Sequence, residues 1–405
     1  MRYNKYHRKG DSMKVNLIKY VMIVLCLSGC SKEFKLSKNG VTQDEIIIGQ
    51  SCAMTGPASD LGEAMNAGLK ACIDEINKKG GIEGRKIRLL TLDDAYNPYN
   101  AIRNVESFLE EKHGLFLLIG EVGTPTSRAI LPIIEREKIP FLGPFTGAEC
   151  LRNPYNKYII NIRASYFQEM EKIAEYIERK GLTKIACFYQ NDGYGMAGLR
   201  GIQKAIEKKN KLKLVAKATY ERNTTAVKVG CRKIFKERPD AIVMVGAYKP
   251  CAEFIKRAKR FIKTDNNKWN PIFCNISFVG PNALRKELKD EGEGCIISQV
   301  VNHLDKENNS LVADYEDAMN KASMGSKIGF VSFEGYIAGK FFCSVLKKLK
   351  RNEVTREIFI NKIFNSNNPF TIGNYSLKYG DNDNQGLDIN DVFLTEIRNG
   401  QIKKL

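Results

Sequence analysis

The stretch from Phe116 to Glu149 constrains the fold of this chain most, because it changes between two secondary-structure patterns within a short length. Residues 116–119 form a short apolar run, which is typical of a buried strand. Residues 127–137 then carry apolar side chains at helical spacing, and a second apolar run occupies residues 139–142. A strand, a helix and a strand in this order form a βαβ unit, whose two strands are parallel.

Each predicted strand of this unit ends in a loop rich in Gly, Thr and Pro, at residues 123–127 and 143–147. Ligands of open parallel sheets bind outside the carboxyl ends of the strands, so both loops would face one cleft. Hydroxyl groups and free backbone N–H groups at the start of a helix suit an anion such as a carboxylate. The alternative is that these residues serve only as helix caps and turns.

The alternation of strand and helix patterns continues from Glu45 for most of the remaining length, which indicates an α/β protein. A chain of 405 residues exceeds one ordinary core, so two lobes are expected. The hydrophobic fraction of 43% argues against a largely disordered protein. We therefore predict two doubly wound, Rossmann-like sheets, with β-type segments around residues 375–377 and 392–397 closing the chain.

The N-terminal region has the features of a secretion signal. Lysines precede an apolar run at residues 20–27 that is too short to span a bilayer as a mature helix. The run leads into Leu27-Ser28-Gly29-Cys30, which resembles a bacterial lipobox in which Cys30 receives the lipid. We predict a signal peptide at residues 1–30, with Met1 or Met13 as the start, and a polar tether at residues 31–44. A chance buried segment is the alternative.

The net charge of +18 would suit nucleic acid or an anionic membrane surface. However, Lys and Arg are scattered along amphipathic helix patterns, and no basic run is interleaved with aromatic residues. A solvated basic surface is therefore the favoured interpretation, and no nucleic-acid partner is expected.

Eleven cysteines are present, but their placement does not indicate a disulfide scaffold. Five of them fall on helix or strand patterns that should be buried, namely Cys72, Cys187, Cys231, Cys295 and Cys343. With three histidines and no CxxC pair, no metal site is expected. Buried free thiols are favoured, although an incidental bridge involving Cys52, Cys72, Cys150 or another of the mature cysteines stays open.

Catalytic motifs are absent from the sequence. Residues 193–198 match GxGxxG after a strand, but a bulky Tyr194 lies between the first two glycines, so nucleotide binding is disfavoured. Residues 381–386 resemble half a calcium loop without its bidentate Glu, so a polar turn is favoured. Asp93 and Asp94 point to opposite faces of a strand, which favours a loop-capping role over acid–base catalysis. We predict neither an enzyme nor a cofactor.

Several segments together carry a resemblance to a known family. They are Ile46-Ile47-Ile48-Gly49, Met54-Thr55-Gly56-Pro57, Asn77-Lys78-Lys79-Gly80-Gly81-Ile82, Asp93-Asp94, residues 143–149, Asp192-Gly193-Tyr194-Gly195 and Gly246-Ala247-Tyr248. In order and spacing, they resemble the bacterial Leu/Ile/Val-type solute-binding proteins, class I periplasmic binding proteins that serve ABC importers. The resemblance covers nearly the whole chain after the tether.

The resemblance implies two lobes with the ligand between them and three crossings of the chain. Residues 45–163 and about 305–364 would form lobe 1, and residues 164–304 and about 365–405 lobe 2. By position, Thr124 corresponds to a hydroxyl donor for the ligand carboxylate. The segment Phe145, Thr146 and Gly147 would supply backbone groups, and Tyr194 and Tyr248 would close from lobe 2. The alternative for the two tyrosines is aromatic core filling.

Two departures from the family pattern affect the ligand. The family's acid for an α-ammonium group should fall near Ile276 or Ser277, where the sequence has no carboxylate. Because a buried ammonium without a partner is costly, either Glu121, Asp192 or another acid substitutes, or the ligand is not an ordinary α-amino acid. In addition, Tyr96 and Gly123 occupy the positions of a first-lobe disulfide found in some members.

The sequence therefore predicts a lipid-anchored, exported solute-binding protein that captures a small carboxylate-bearing ligand, an amino acid or a relative. Its partners would be that ligand, an ABC permease and the membrane that holds the anchor. Two alternatives remain at this point. One is a sensory module that reports the ligand to a signalling partner, and the other is a nucleotide-binding enzyme built on residues 193–198.

Overall fold

The structure, a computed structural model, describes residues 39–264, 269–304, 306–380 and 382–405. The predicted signal peptide, Cys30 and residues 31–38 of the predicted tether lie outside the described residues. Residues 39–42, which we also predicted to be tether, are bound to the body of the protein. The Gly40 amide donates to the His113 carbonyl at 2.8 Å, and the Ile47 amide donates to the Gly40 carbonyl at 2.7 Å.

The first sheet has five strands in the order β2-β1-β3-β4-β5, and all neighbouring strands are parallel. Its strands are β1 (Glu45–Cys52), β2 (Lys86–Asp93), β3 (Leu117–Ile119), β4 (Phe141–Leu142) and β5 (Ile159–Ile160). The crossover helices are α1 (Ser59–Lys78), α2 (Pro98–Glu110) and α3 (Thr124–Glu137). Strands β1, β3, β4 and β5 are almost wholly buried, which explains their continuous apolar runs.

The second sheet contains five parallel strands and two antiparallel strands at one edge. Its parallel strands are β6 (Lys184–Gln190), β7 (Lys213–Tyr220), β8 (Ala241–Val245), β9 (Ile272–Asn275) and β10 (Ile296–Gln299). Helices α4 (Tyr166–Arg179), α5 (Gly193–Glu207), α6 (Lys228–Glu237), α7 (Tyr248–Thr264) and α8 (Pro281–Leu288) alternate with them. The sheet order is β14-β13-β10-β9-β8-β6-β7.

After β10 the chain returns to the first sheet. It adds helices α9 (Ser310–Lys321), α10 (Phe330–Leu346) and α11 (Arg356–Phe364), and a hairpin of β11 (Phe370–Ile372) and β12 (Tyr375–Leu377). Helices α9 and α10 pack on α1, where the Tyr336 hydroxyl donates to Glu75 at 2.9 Å. The chain then crosses back and ends with β13 (Phe393–Arg398) and β14 (Gln401–Lys404) in the second sheet.

The chain thus passes between the two sheets three times. We call the first sheet with its packed helices the first lobe, and the second sheet with its helices the second lobe. The α/β class and the two-lobed arrangement are confirmed, whereas the residue boundaries of the lobes stay predictions. Strand β14 was missed because its segment is short and polar.

The glycines of residues 193–198 have a packing role. A Cβ atom on Gly195 would lie 1.8 Å from the Gln190 carbonyl oxygen, and one on Gly198 would lie 2.5 Å from a Val245 methyl group. Only glycine permits so close an approach of α5 to β6 and β8. The motif is therefore explained by helix–sheet contact.

The remaining sequence predictions can be checked against burial. The five cysteines predicted as buried are buried and free of disulfides. Within residues 382–386, Asn384 is buried and donates to the carbonyls of Leu151 and Ile159, both at 3.1 Å, so this turn binds the first lobe. No group of three metal-ligating side chains occurs in the described ranges. Among the helices that the structure describes, none has the length and apolar character needed to cross a membrane.

Candidate ligand-binding site between the lobes

Loops at the carboxyl ends of β3 and β4 form the first-lobe side of the candidate site. The hydroxyls of Thr124 and Thr146 are buried and lie 2.6 Å apart, and Thr146 also donates to the Tyr166 hydroxyl at 3.1 Å. Helix α3 begins at Thr124 after Gly123, whose φ of +104° favours glycine. A Cβ atom at Gly123 would lie 2.1 Å from the Tyr96 ring. The ring can therefore pack against position 123 only because that residue is glycine.

An aromatic cluster joins the two lobes. Phe278, which follows β9 in the second lobe, lies against Phe145 of the first lobe with ring centroids 5.3 Å apart. The same ring lies 6.2 Å from Tyr96 and 4.5 Å from Tyr194. All four side chains are buried. An apolar ligand group placed between the lobes would therefore contact aromatic surface from both sides.

A buried guanidinium connects this cluster to both lobes. Arg163, which follows β5, is fully buried, and its guanidinium carbon lies 4.5 Å from the Phe145 ring centroid. Its side chain pairs with Glu334 of α10 at 3.4 Å and with Glu169 of α4 at 3.8 Å. It also donates a short hydrogen bond to the Ser277 hydroxyl. The nitrogen Nη1 has no hydrogen-bond partner among the described residues, so it could donate to a ligand carboxylate.

The charges of this network depend on one another. Burial alone would lower the pKa of Arg163, but Glu334 and Glu169 outweigh it and raise the pKa, so the guanidinium stays charged. Burial raises the pKa of Glu334 to about 7, although Arg163 opposes the shift. The guanidinium therefore stays charged, but Glu169 and Glu334 balance that charge, so what Arg163 offers a ligand is the unbonded donor Nη1.

Ser277 lies where the family pattern has an acid, and it is hydrogen-bonded to a carboxylate from helix α4. Glu169 accepts hydrogen bonds from the Ser277 amide at 2.8 Å and from the Ser277 hydroxyl at 3.0 Å. Its second oxygen also accepts from Ser298 at 2.6 Å. Glu169 thus replaces the missing carboxylate in space, but its charge is already paired with Arg163.

The two acids that we expected as substitutes have other surroundings. Glu121 is buried near Ser51 and Asp94, and burial raises its pKa well above the usual range. Neither of its carboxyl oxygens accepts a well-formed hydrogen bond from a described residue. Asp192 caps α5 through the Tyr194 amide at 3.0 Å and forms an ion pair with Arg222 at 3.2 Å. A neutral Glu121 and a paired Asp192 are weak partners for an ammonium group.

The other predicted site residues fall on the same side of their sheets. The Tyr194 hydroxyl lies 3.5 Å from the Gly246 carbonyl, next to the loop that leads to Tyr248. Tyr248 is buried and lies close to Ser59 and Asp60 at the start of α1, so it spans the two lobes. Gly147 is held against Tyr166, whose ring would lie 2.6 Å from a Cβ atom there. The structure therefore brings together Thr124, Phe145, Thr146, Gly147, Tyr194 and Ser277, with Tyr248 at the interlobe boundary and Glu121 beside Asp94.

Sequence reasoning missed four residues of the site: Arg163, Glu169, Asn275 and Phe278. Asn275 ends β9 fully buried, and neither side-chain atom has a hydrogen-bond partner in the described part of the chain. A usable signal existed for Arg163 and Asn275, since each is a polar residue at the end of an apolar run. Glu169 carries no such signal because its role depends on where α4 packs.

The adjacent aspartates at the end of β2 organise the neighbouring loops, as their sequence predicts. Asp93 accepts hydrogen bonds from the amides of Met54 and Ala95, both at 2.8 Å. Asp94 is fully buried and accepts from the Ser51 hydroxyl at 3.0 Å and the Tyr96 amide at 2.8 Å. These bonds hold Tyr96 in place beside the aromatic cluster.

The fold is the two-lobed arrangement of a class I periplasmic binding protein. A family model described as periplasmic binding protein matches residues 45–401, which is most of the chain. The chain belongs to the periplasmic binding protein family.

Curated relatives match parts of the chain. The leucine-specific-binding protein of Salmonella typhimurium is 25% identical over 265 residues, which is 64% of this chain and 68% of that protein. The Leu/Ile/Val-binding protein of Escherichia coli K12 is 25% identical over 173 residues, which is 42% of this chain and 47% of that protein. The chain thus spans about half the length of that Escherichia coli relative.

Solved structures match over a longer range. A possible leucine/isoleucine/valine-binding protein from Rhodopirellula baltica is 34% identical with a TM-score of 0.82, and the match covers 89% of this chain and 96% of that one. A branched chain amino acid ABC transporter protein from Thermus thermophilus with bound valine is 18% identical, with a TM-score of 0.78 over 90% of this chain and 96% of that one. The second match supports the fold alone.

The two aspartates should affect stability with opposite dependence on pH. Burial raises the pKa of Asp94 to about 7. The folded state therefore binds the proton more tightly than the unfolded state, and the contribution of Asp94 to stability falls as the pH rises toward 7. We expect Asp94→Asn to gain free energy of unfolding relative to the original chain between about pH 4 and 8, by ~1.4 kcal/mol per unit of pKa shift. Urea unfolding across this range measures it.

Asp93→Asn is the matched control. Burial would raise the pKa of Asp93, but the hydrogen bonds from Thr55, Ala95 and Met54 lower it. Its stabilising contribution is present above the ordinary aspartate pKa and is lost in acid. The Asp93→Asn variant should therefore have a lower free energy of unfolding than the original chain at neutral pH. At low pH the two values should converge. Parallel pH profiles for both variants would contradict the assignment.

Proposed function

We propose that this protein is an exported solute-binding protein that captures a small carboxylate-bearing ligand between its lobes and delivers it to an ABC permease. The observation that carries the proposal is the convergence of Thr124, Thr146 and Arg163 on the aromatic cluster around Phe278. The unbonded nitrogen of the Arg163 guanidinium suits a carboxylate, and the two threonine hydroxyls would turn their protons toward it in exchange for their present bonds to each other and to Tyr166. The aromatic rings suit an apolar group on the same ligand.

The ligand would be an amino acid or a relative of one. Membership of the family and the similarity to the leucine-specific-binding protein of Salmonella typhimurium support an aliphatic carboxylate. The charges of the site favour the carboxylate end, because Glu169 is already paired and Glu121 is held neutral by burial. We therefore propose that recognition of the carboxylate outweighs recognition of an α-amine, and that 2-oxo or 2-hydroxy relatives bind as well as the amino acid does.

Closure of the lobes would couple binding to transport. A ligand held by Thr124 of the first lobe and by Tyr194 of the second makes its full set of contacts only when the lobes are together. Binding would therefore shift the population toward the closed form, which a permease can distinguish from the open form. Because no described strand pairs across the two sheets, the contacts between the lobes can be broken without unfolding either sheet.

A thermal-shift panel tests the ligand class. It contains leucine, isoleucine, valine, their 2-oxo acids and the corresponding amides, which lack the carboxylate. A true ligand at about 100 times its dissociation constant should add ~2.7 kcal/mol to the free energy of unfolding. We expect the carboxylic acids to raise the free energy of unfolding and the amides to leave it unchanged. Thr124→Val should weaken binding by about tenfold, since one hydrogen bond to a charged group is lost.

Thr126→Val is the matched control for Thr124→Val. The Thr126 hydroxyl donates to the carbonyls of Val122 at 2.7 Å and Gly123 at 3.0 Å, within the same helix start. The Thr126→Val variant should therefore change the stability of the protein without changing its affinity for the ligand. Stabilisation by the amides, equal losses in both variants, or no response to any carboxylate would refute the proposal.

We extend the proposal to the membrane anchor at Cys30, which rests on the sequence Leu27-Ser28-Gly29-Cys30 alone. Acyl chains contribute about 0.8 kcal/mol for each buried CH₂ group, so two or three chains would hold the protein at a membrane. Mass spectrometry of protein from the membrane fraction should find an acylated N-terminal peptide beginning at Cys30. An unmodified Cys30 within a longer peptide would contradict the anchor.

A further inference from the structure

A basic groove lies on the second lobe, between α6 and α7, away from the ligand site. Its volume is about 690 Å³. Lys228, Arg232 and Lys236 recur at helical spacing along α6, and Arg257 and Arg260 project from α7, with Arg238 after the end of α6. None of the described residues that line the groove is acidic. We call this surface the α6–α7 groove.

Four of the six cations at the groove form no ion pair with a residue that the structure describes. Arg257 pairs with Glu253 of its own helix at 2.6 Å. By contrast, the side chains of Lys228, Arg232, Lys236 and Arg260 form no ion pair with any residue in the described ranges. Like charges held this close repel each other, so the arrangement costs free energy unless an anion occupies the groove.

Apolar side chains are exposed beside the same cations. Two aromatic rings line the groove, Phe235 and Phe261, and they stack at a centroid distance of 5.1 Å. Phe261 is 37% exposed, although it is a large apolar residue. Val229, next to Lys228 at the start of α6, is 62% exposed. Exposed apolar groups within a cationic face are typical of helices that lie at a membrane interface.

We propose that the α6–α7 groove docks the second lobe on an anionic lipid bilayer, with the phosphate groups of the lipids between the two helices. Four of the nine lining residues are Arg, whose planar guanidinium binds phosphate oxygens in pairs. The exposed Phe261 and Val229 would reach the boundary of the acyl chains. A soluble polyanion would satisfy the cations, but it would leave these apolar side chains in water. Docking is independent of the anchor at Cys30 and of the cleft ligand.

Vesicle binding tests this proposal with the chain from residue 31 onward. This chain lacks both Cys30 and the predicted signal peptide, so that neither an acyl chain nor the apolar run at residues 20–27 contributes. Vesicles of phosphatidylcholine alone are compared with vesicles that also contain about 30 mol % phosphatidylglycerol, an anionic lipid. We expect binding to the anionic vesicles only, with a loss as salt is raised from about 0.1 M to 1 M, because the screening length falls from ~10 Å to ~3 Å.

Charge reversal separates the groove from the net charge. The groove variant combines Arg232→Glu, Lys236→Glu and Arg260→Glu, and the control variant combines Lys112→Glu, Lys211→Glu and Lys347→Glu. All six residues are exposed. Each reversal lowers the net charge by two, so both variants lower it by six. The groove variant should lose about tenfold or more in vesicle affinity, and the control less than about threefold.

A milder groove variant and two folding controls complete the test of the α6–α7 groove. A milder groove variant with Gln at the same three positions should also lose affinity, and unchanged thermal midpoints and ligand responses show that the variants are folded. Equal losses in the groove and control variants would overturn the proposal, because binding would then follow net charge alone. Binding of an anionic polysaccharide without vesicle binding would also overturn it and would assign the groove to a soluble polyanion.

Discussion

The buried guanidinium of Arg163 is the interaction on which the arrangement of the two lobes depends. It contacts Glu334 of the first lobe, Glu169 and Ser277 of the second, and the face of Phe145 in a first-lobe loop. A charge removed from water is tolerated only where opposite charges and hydrogen bonds replace the water. Because these partners come from both sheets, the position of Arg163 fixes how the sheets meet.

The ligand site follows from this constraint. Arg163 uses Glu169 as its counter-ion, so the carboxylate that lies nearest to Ser277 has little charge left for an ammonium group. The hydroxyls of Thr124 and Thr146 lie 2.6 Å apart, and Thr146 donates to Tyr166, whose ring centroid lies 5.6 Å from that of Tyr194. Each group is at the carboxyl end of a parallel strand, where side chains and loops are free to face a ligand.

Much of this could be predicted from the sequence because the signals are local. The alternation of apolar runs with helical spacing gave the α/β class, and the βαβ unit at residues 116–149 located the loops of Thr124 and Thr146. Local patterns could not predict Glu169, whose carboxylate reaches Ser277 across more than a hundred positions of sequence, or the neutral state of Glu121, which depends on burial. The α6–α7 groove could not be predicted either, because its cations are scattered in the sequence and come together only when two helices pack.

The central claim is that one carboxylate-bearing ligand bridges the two lobes and holds them closed. Small-angle X-ray scattering of the full chain, with and without a ligand that gives a thermal shift, tests it most directly. The account predicts that the radius of gyration decreases on saturation with ligand, and that the decrease is lost in Thr124→Val at the same ligand concentration. A bound ligand that leaves the radius of gyration unchanged would contradict it.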